Sequence, residues 1–231
     1  MLELFPQGFE EREADDSVEL TAYTDAGGEE RIWQAFGTGT AADVEAGWED
    51  RWRRFHRPQR VGDLWIGPPW EEPDPGSVAI VIDPGRAFGT GGHPTTRLCL
   101  ELLAAEGAGS VVDVGCGSGV LAIAAVKLGF SPVVAVDVDP QAVEATLRNA
   151  AVNGVAVTAH VADLAVDALP TADLALANIA VDAVERLVPR LDVGRAITSG
   201  YLVSERPHLP GYRPLRRVEQ DGWAADVHAR E

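Results

Sequence analysis

Residues Asp113-Val114-Gly115-Cys116-Gly117-Ser118-Gly119 combine an acid with glycines at alternate positions. The apolar VVDV up to them reads as a strand and VLAIAAVK after them as a helix, so the glycines fall where the chain turns from one to the other. Glycine allows a sharp turn and a close backbone approach to a ligand, and the helix N–H groups at such a turn can receive it. Asp137 ends the next apolar strand, 22 residues after Gly115. In nucleotide-binding βαβ units an acid near this offset accepts hydrogen bonds from ribose hydroxyls. Dinucleotide sites space their glycines G-x-G-x-x-G, with pyrophosphate on the helix N-terminus; here the third glycine comes one residue sooner, which disfavours a nicotinamide-dependent oxidoreductase. Asn178 closes the apolar LALAN run, either capping the next helix or presenting its amide at a strand's carboxyl end. His93, followed by Pro94, either touches a ligand or orders its loop. Asp163 is either a turn or capping carboxylate or a polar group beside a ligand.

The elements that must position these residues alternate from Ser77 onward. VAIVID, VVDVG, PVVAVDVD, VAVTAHVAD, ADLALANI and RAITSGY read as strands. Between them, HPTTRLCLELLAAEGA, SGVLAIAAVKLGF, PQAVEATLRNAAVNG and DAVERLVPRL read as helices, the third with Pro140 in its first turn and Gly154 just past its end. Short, β-branched strands alternating with helices imply a parallel sheet covered on both faces. After Gly200 a short helical signal (SERPHL) precedes GYRPLRRVEQ and DGWAADVHAR, a hairpin turning at Asp221-Gly222. The fold expected is α/β: a doubly wound, mostly parallel seven-stranded sheet, Rossmann-like, with a C-terminal antiparallel hairpin and a small N-terminal appendage.

Three regions are expected: 1–46 as an accessory or substrate-recognition unit, 47–76 as a linker and aromatic clamp, and 77–231 as the catalytic domain. The first holds strands such as VELTAY, a turn at Gly27 and Gly28, and many carboxylates. In the second, Trp48, Trp52 and Phe55 fall near helical spacing before Pro58, and VGDLWI reads as a strand. Its basic run (Arg51, Arg53, Arg54, Arg57, Arg60) reads as a solvated face or as partners for the acidic N-terminus, with contact to an acidic ligand as the alternative.

Composition narrows the function classes. The chain has 231 residues, 46% of them hydrophobic, and a formal net charge of −17, with Lys127 its single lysine. That field repels phosphate backbones, so nucleic acid is disfavoured and a basic protein is the better partner, although solubility and genome composition explain much of such a charge. No apolar run reaches the roughly 18 residues that span a bilayer, and the acidic MLELFPQGFEEREADD is unlike a signal peptide, so no membrane role and a cytoplasmic location are expected. Cys99 and Cys116 lack metal-ligand spacing, so neither a zinc site nor a disulfide framework is expected.

DVGCGSG, VDVDPQAVEAT and ANIA resemble the motifs of class I S-adenosylmethionine-dependent methyltransferases. VIDPGRAFGTGGHPTT, with the W-x-x-x-W-x-x-F-x-x-P-x-x-VG-x-LWI stretch ahead of it, resembles the ribosomal protein L11 methyltransferase family over roughly residues 48–231. The resemblance implies S-adenosyl-L-methionine as cofactor, held at its methionine and ribose by Gly115, Gly117 and Asp137. It implies further cofactor positions at Phe88, Gly89, Thr90, Thr96, Asp113, Cys116, Gly119, Val138 and Asn178, with Asp163 near the adenine. It also implies that Asn178 and His93 serve catalysis and that the methyl goes to lysine side chains or the N-terminal α-amine of ribosomal protein L11. Ahead of the linker the family has a full α+β recognition domain, whereas about 46 residues stand there in this chain. Another protein or a small molecule as acceptor, or a catalytically silent cofactor-binding scaffold, are the competing readings.

Overall fold

The computed structural model describes residues 10–14, 17–21, 26–37, 39–40, 56–83, 91–163, 166–167 and 171–231. The expectations for Trp48, Trp52, Phe55, Arg51, Arg53 and Arg54, and for Phe88, Gly89 and Thr90, lie outside them. The chain divides into two compact units, Met1–Trp52 and Arg53–Glu231.

In the first unit, β1 (Glu10–Ala14) pairs antiparallel with β2 (Ser17–Thr21), and α1 (Ala26–Phe36) follows. Gly27 and Gly28, expected in a turn, lie in the first turn of α1. There the N–H groups have no intrahelical partner in any case, so the EERIWQAF run after them can carry the helix.

The second unit begins with β3 (Gln59–Val61), β4 (Leu64–Gly67) and β5 (Val78–Val81). VGDLWI is therefore not one strand: the chain reverses at Gly62, whose φ of 56° suits the turn, and β3 pairs antiparallel with β4. β5 was expected in the central sheet but pairs parallel with β4, in a separate three-stranded sheet. An apolar run specifies burial and not its partner strand. A distant side chain also holds β5 in place, because Asn153 accepts from Val81 N–H (2.9 Å) and donates to Val81 C=O (2.6 Å).

The remaining elements are α2 (Pro94–Ala104), β6 (Val111–Val114), α3 (Val120–Lys127), β7 (Val133–Asp137), α4 (Pro140–Val152) and β8 (Thr158–Val161). After them come β9 (Thr171–Asn178), α5 (Val181–Leu187) with a 3-10 turn at Val188–Arg190, β10 (Asp192–Leu202), β11 (Tyr212–Gln220) and β12 (Trp223–Arg230). Seven strands form one sheet in the order β8-β7-β6-β9-β10-β12-β11. The first five are parallel, and β12 runs antiparallel to both β10 and β11. From β6 the chain winds outward first through β7 and β8 and then, on the other side, through β9 and β10. In open α/β sheets the crevice that binds ligands lies at such a reversal, at the carboxyl ends of the strands.

Both faces of the sheet are covered. Leu103 of α2, Ile123 of α3 and Ile80 of β5 belong to one buried cluster with Leu176 and Ile197. Val184, Val188 and Leu191 belong to the other with Val112, Val114 and Ala177. Each fully buried aliphatic side chain contributes about 1.5–3 kcal/mol relative to exposure. α4 is bounded as its sequence implies: Asp139 caps it by accepting from Gln141 N–H (2.8 Å), Pro140 opens it, and Gly154 follows with φ 64°.

SERPHL, expected to be helical, is irregular. The carbonyls of Val203 and Glu205 receive Arg217 Nη2 from β11 (3.1 and 2.9 Å). Arg217 Nη1 also donates to Asp226 Oδ2 (2.8 Å), which accepts from the Tyr201 hydroxyl too (2.8 Å), and Asp226 is buried. A guanidinium 12 and 14 residues along the chain thus takes the place of helical N–H donors. The hairpin turns at Asp221 (φ 53°) and Gly222 (φ 82°), two left-handed residues as a tight two-residue turn requires. Among the described residues no helix is long and apolar enough to cross a membrane, and no three His, Cys, Asp or Glu side chains gather as a metal site.

Candidate active site

A cavity of about 720 Å³ opens at the carboxyl ends of β6, β7 and β9, in the size range of small-molecule and cofactor sites. It brings together His93, Thr96, Asp113, Gly115, Cys116, Gly117, Asp137, Val138, Asp163 and Asn178 from the sequence-derived set. Gly119 does not line it. At φ 82° Gly119 precedes α3 and abuts Thr146 of α4, whose backbone and side chain a Cβ would meet within 3.0 Å, so it serves helix packing.

The glycine turn is held by its acids. Gly115 has φ 71°, and a Cβ there would lie 2.5 Å from Ile179 Cγ2. Asp137 Oδ2 accepts from Gly117 N–H (3.0 Å) and Oδ1 from Asp139 N–H (3.0 Å), so the carboxylate that faces the cavity also fixes the loop. Each carboxylate oxygen retains acceptor capacity for a ligand hydroxyl.

Asp113 is buried beneath the turn and accepts from Ala122 N–H at the start of α3 (3.1 Å). Burial pushes its carboxyl up to about 7; the Ala122 N–H opposes this and the Asp137 charge adds to it. The unfolded chain ionises this group near the ordinary carboxyl value of 3.8, so between that pH and about 7 the folded state holds a proton that the unfolded state has released. Stability from Asp113 is therefore complete below the unfolded value and is lost as pH rises through about 7. Asp113→Asn should remove that pH-dependent fall, so that chemical denaturation shows the wild type losing stability relative to the variant from pH 4 to 8. A constant difference across that range would contradict a buried carboxyl of this kind. Cys116, buried and 3.3 Å from Thr146 Oγ1, has its thiol pushed up to about 12 chiefly by burial, and is no nucleophile at neutral pH.

Asn178 ends β9 opposite Ser199 of β10, and the next amide, Ile179 N–H, donates to Ser199 C=O (3.1 Å). Its Nδ2 donates to the wholly buried Thr96 hydroxyl (3.4 Å), which orients the side-chain amide. Gly200 clears space for this junction, since a Cβ at its φ of 101° would fall 2.2 Å from Ile179 C=O. His93 sits where the start of α2 meets the cavity. Its Nδ1 lies 2.8 Å from Thr95 Oγ1 as α2 begins, its ring lines the cavity, and burial and the Arg97 charge hold its pKa below the usual value. Asp163 also lines the cavity while its carbonyl accepts from Val166 and Asp167 N–H in a turn. Motif reading missed Gly200, Trp223 of β12, and Ala183 and Arg186 of α5. They come from elements that meet the glycine turn only in three dimensions, although Trp223 had a signal in the Asp221-Gly222 turn before it.

The family model described as ribosomal protein L11 methyltransferase (PrmA) matches residues 9–225. A protein of Pelobacter propionicus named "Ribosomal protein L11 methyltransferase" is 43% identical over 207 residues, covering 79% of this chain and 66% of its own. One of the same name from Symbiobacterium thermophilum is 43% identical over 198 residues, covering 78% of this chain and 65% of its own. The chain thus spans just under two thirds of the length of these curated relatives. A crystal structure described as ribosomal protein L11 methylase, from Lactobacillus delbrueckii subsp. bulgaricus, superposes with TM-score 0.69 at 31% identity, covering 76% of this chain and all of that one.

Proposed function

Because the chain belongs to the ribosomal protein L11 methyltransferase family, we propose that its cavity binds S-adenosyl-L-methionine and that the protein methylates amines of ribosomal protein L11. The observation that carries this reading is the union of the acid-braced glycine turn and Asn178 in one cavity at the carboxyl edge of the sheet. The residues fit the cofactor: Gly115 and Gly117 leave backbone room for the methionine portion, Asp137 offers its carboxylate to the ribose, and Val138 and Asp163 border the adenine end. The bound cofactor supplies an electrophilic methyl on a sulfonium, which needs no metal. The acidic chain, at −17, suits a basic acceptor, and an acceptor on the ribosome places the reaction in the cytoplasm.

What the chain itself contributes is alignment and desolvation. Holding amine, methyl and sulfur in line can be worth roughly 7–11 kcal/mol. Releasing the proton of a lysine with pKa near 10.4 costs about 4.6 kcal/mol at pH 7, against about 1.4 kcal/mol for an α-amine near pKa 8. The α-amine is the easier acceptor, and lysines need desolvation or alkaline solution. Asn178 and the Phe88–His93 segment position the amine, and water carries its proton away.

Asp137→Ala should weaken S-adenosylmethionine by about 1–3 kcal/mol, because ribose donors then enter the cavity without their acceptor; calorimetric titration reads this directly, and unchanged affinity would remove Asp137 from the ribose site. The function itself is tested by incubating the protein with methyl-labelled cofactor and a lysate of cells lacking it, then identifying labelled species by mass spectrometry. Label on ribosomal protein L11 supports the proposal. Label on another protein or a small molecule keeps the enzyme class and replaces the acceptor, and cofactor binding with no label under any condition points to a silent scaffold.

A further inference from the structure

The C-terminal hairpin reaches the cavity through its turn, and that turn is tied to the start of α2 at two points. The His93 and Trp223 rings meet edge to face, with centroids 4.7 Å apart and planes at 71°, and both line the cavity. One helical turn after His93, Arg97 Nη2 donates to Asp221 Oδ2 across 3.0 Å. Asp221 closes the turn just before Trp223 in a left-handed conformation (φ 53°).

The asymmetry of this ion pair is informative. Asp221 is well exposed (62%), whereas Arg97 is mostly buried (24%) and its Nε–H has no hydrogen-bond partner among the described residues. A guanidinium drawn from water with one donor unsatisfied gains little stability from an exposed carboxylate. Its geometric consequence is larger: β11 lies at the edge of the sheet, so the turn is restrained through β12, through Val203 N–H, which donates to Gly222 C=O (3.0 Å), and on its other side through these contacts to α2.

We propose that Arg97 and Asp221 are positioning residues for methyl transfer, an ion pair that latches the hairpin turn onto α2 and so sets Trp223 in the cavity wall. This rests on the reading of the cavity as a methyl-transfer site. Trp223 and His93 then form an aromatic wall next to which an ammonium or amine is favoured over an anion, because the ring faces are electron-rich. The pair acts through Trp223 and touches neither cofactor nor acceptor.

A double-mutant cycle on the full chain tests the latch with Arg97→Gln, Asp221→Asn and the pair combined; asparagine tolerates the left-handed conformation, so the turn is kept. Two readouts are taken: kcat/KM for the acceptor beside the cofactor Kd, and acrylamide quenching of Trp223, isolated by difference against Trp223→Phe in each background. Each single variant is expected to lower acceptor kcat/KM by about tenfold or more, in line with a small misplacement near the reacting groups, to raise Trp223 quenching, and to leave cofactor Kd and thermal midpoint nearly unchanged. The combined variant should be no worse than either single one. Losses that multiply in the combined variant, a parallel fall in cofactor affinity, or unaltered Trp223 quenching would each overturn the latch. Should the wild type transfer no methyl to any amine, the functional reading fails, and the quenching cycle still reports separately whether the ion pair holds Trp223.

Discussion

Asn178→Ala should lower the turnover of methyl transfer by about 10²-fold, the cost of misplacing a reacting group by about an ångström, while cofactor affinity stays nearly constant. The side-chain amide is oriented by the buried Thr96 hydroxyl and its backbone by the β9–β10 register, so an amine that bonds to it meets a fixed partner. Alanine keeps the strand and removes the partner. Loss of an interaction that matters in the transition state lowers kcat and kcat/KM together. Steady-state kinetics at saturating cofactor, beside calorimetric titration of each variant, separates the effects. A large loss of cofactor affinity with unchanged kcat would assign Asn178 to cofactor binding alone. Thr96→Val should reproduce part of the defect, since the amide then loses its orienting hydroxyl.

Arg217→Met should be the most destabilising single substitution in the hairpin. Its guanidinium joins Asp226 Oδ2 and two loop carbonyls, with side-chain exposures of 16% for Arg217 and 7% for Asp226. Methionine fills the stem's space but leaves a buried carboxylate with the Tyr201 hydroxyl as its remaining hydrogen-bond donor among the described residues. Breaking a buried pair from one side typically costs about 3–5 kcal/mol. For a domain of this size that is a fall of roughly 10 °C in thermal midpoint, at about 2–4 °C per kcal/mol. Removing both charges, with Asp226→Leu added, should recover much of the loss, because the unpaired buried charge causes it. A fall below about 1 kcal/mol for Arg217→Met alone would mean that the pair behaves as a solvated one.

The parts of the fold legible in the sequence were those in which local chemistry leaves one choice. Gly115 and Gly117 sit between a strand and a helix at left-handed φ, and Asp221-Gly222 needs two such residues in succession. Pro140 and Gly154 bracket α4 for the same kind of reason. Elements decided by distant partners were misread. β5 left the central sheet because Asn153 and β4 hold it, and SERPHL (204–209) is not helical, with the Val203 and Glu205 carbonyls taken by Arg217. In the cavity, the acids and glycines were readable because their spacing follows one βαβ unit. Gly200 and Arg186 were not, since nothing near them in the chain marks the wall that they join, and for Trp223 the Asp221-Gly222 turn marks a hairpin but not the cavity that the hairpin reaches.

The most direct test is the mass of purified ribosomal protein L11 after incubation with this chain and S-adenosylmethionine at mildly alkaline pH. The expected result is a mass gain in whole methyl increments, mapped to lysine or N-terminal amines, abolished by Asn178→Ala and reduced by Asp137→Ala at limiting cofactor. Unchanged ribosomal protein L11, with S-adenosylmethionine demonstrably bound to the wild-type chain, would contradict the proposed acceptor.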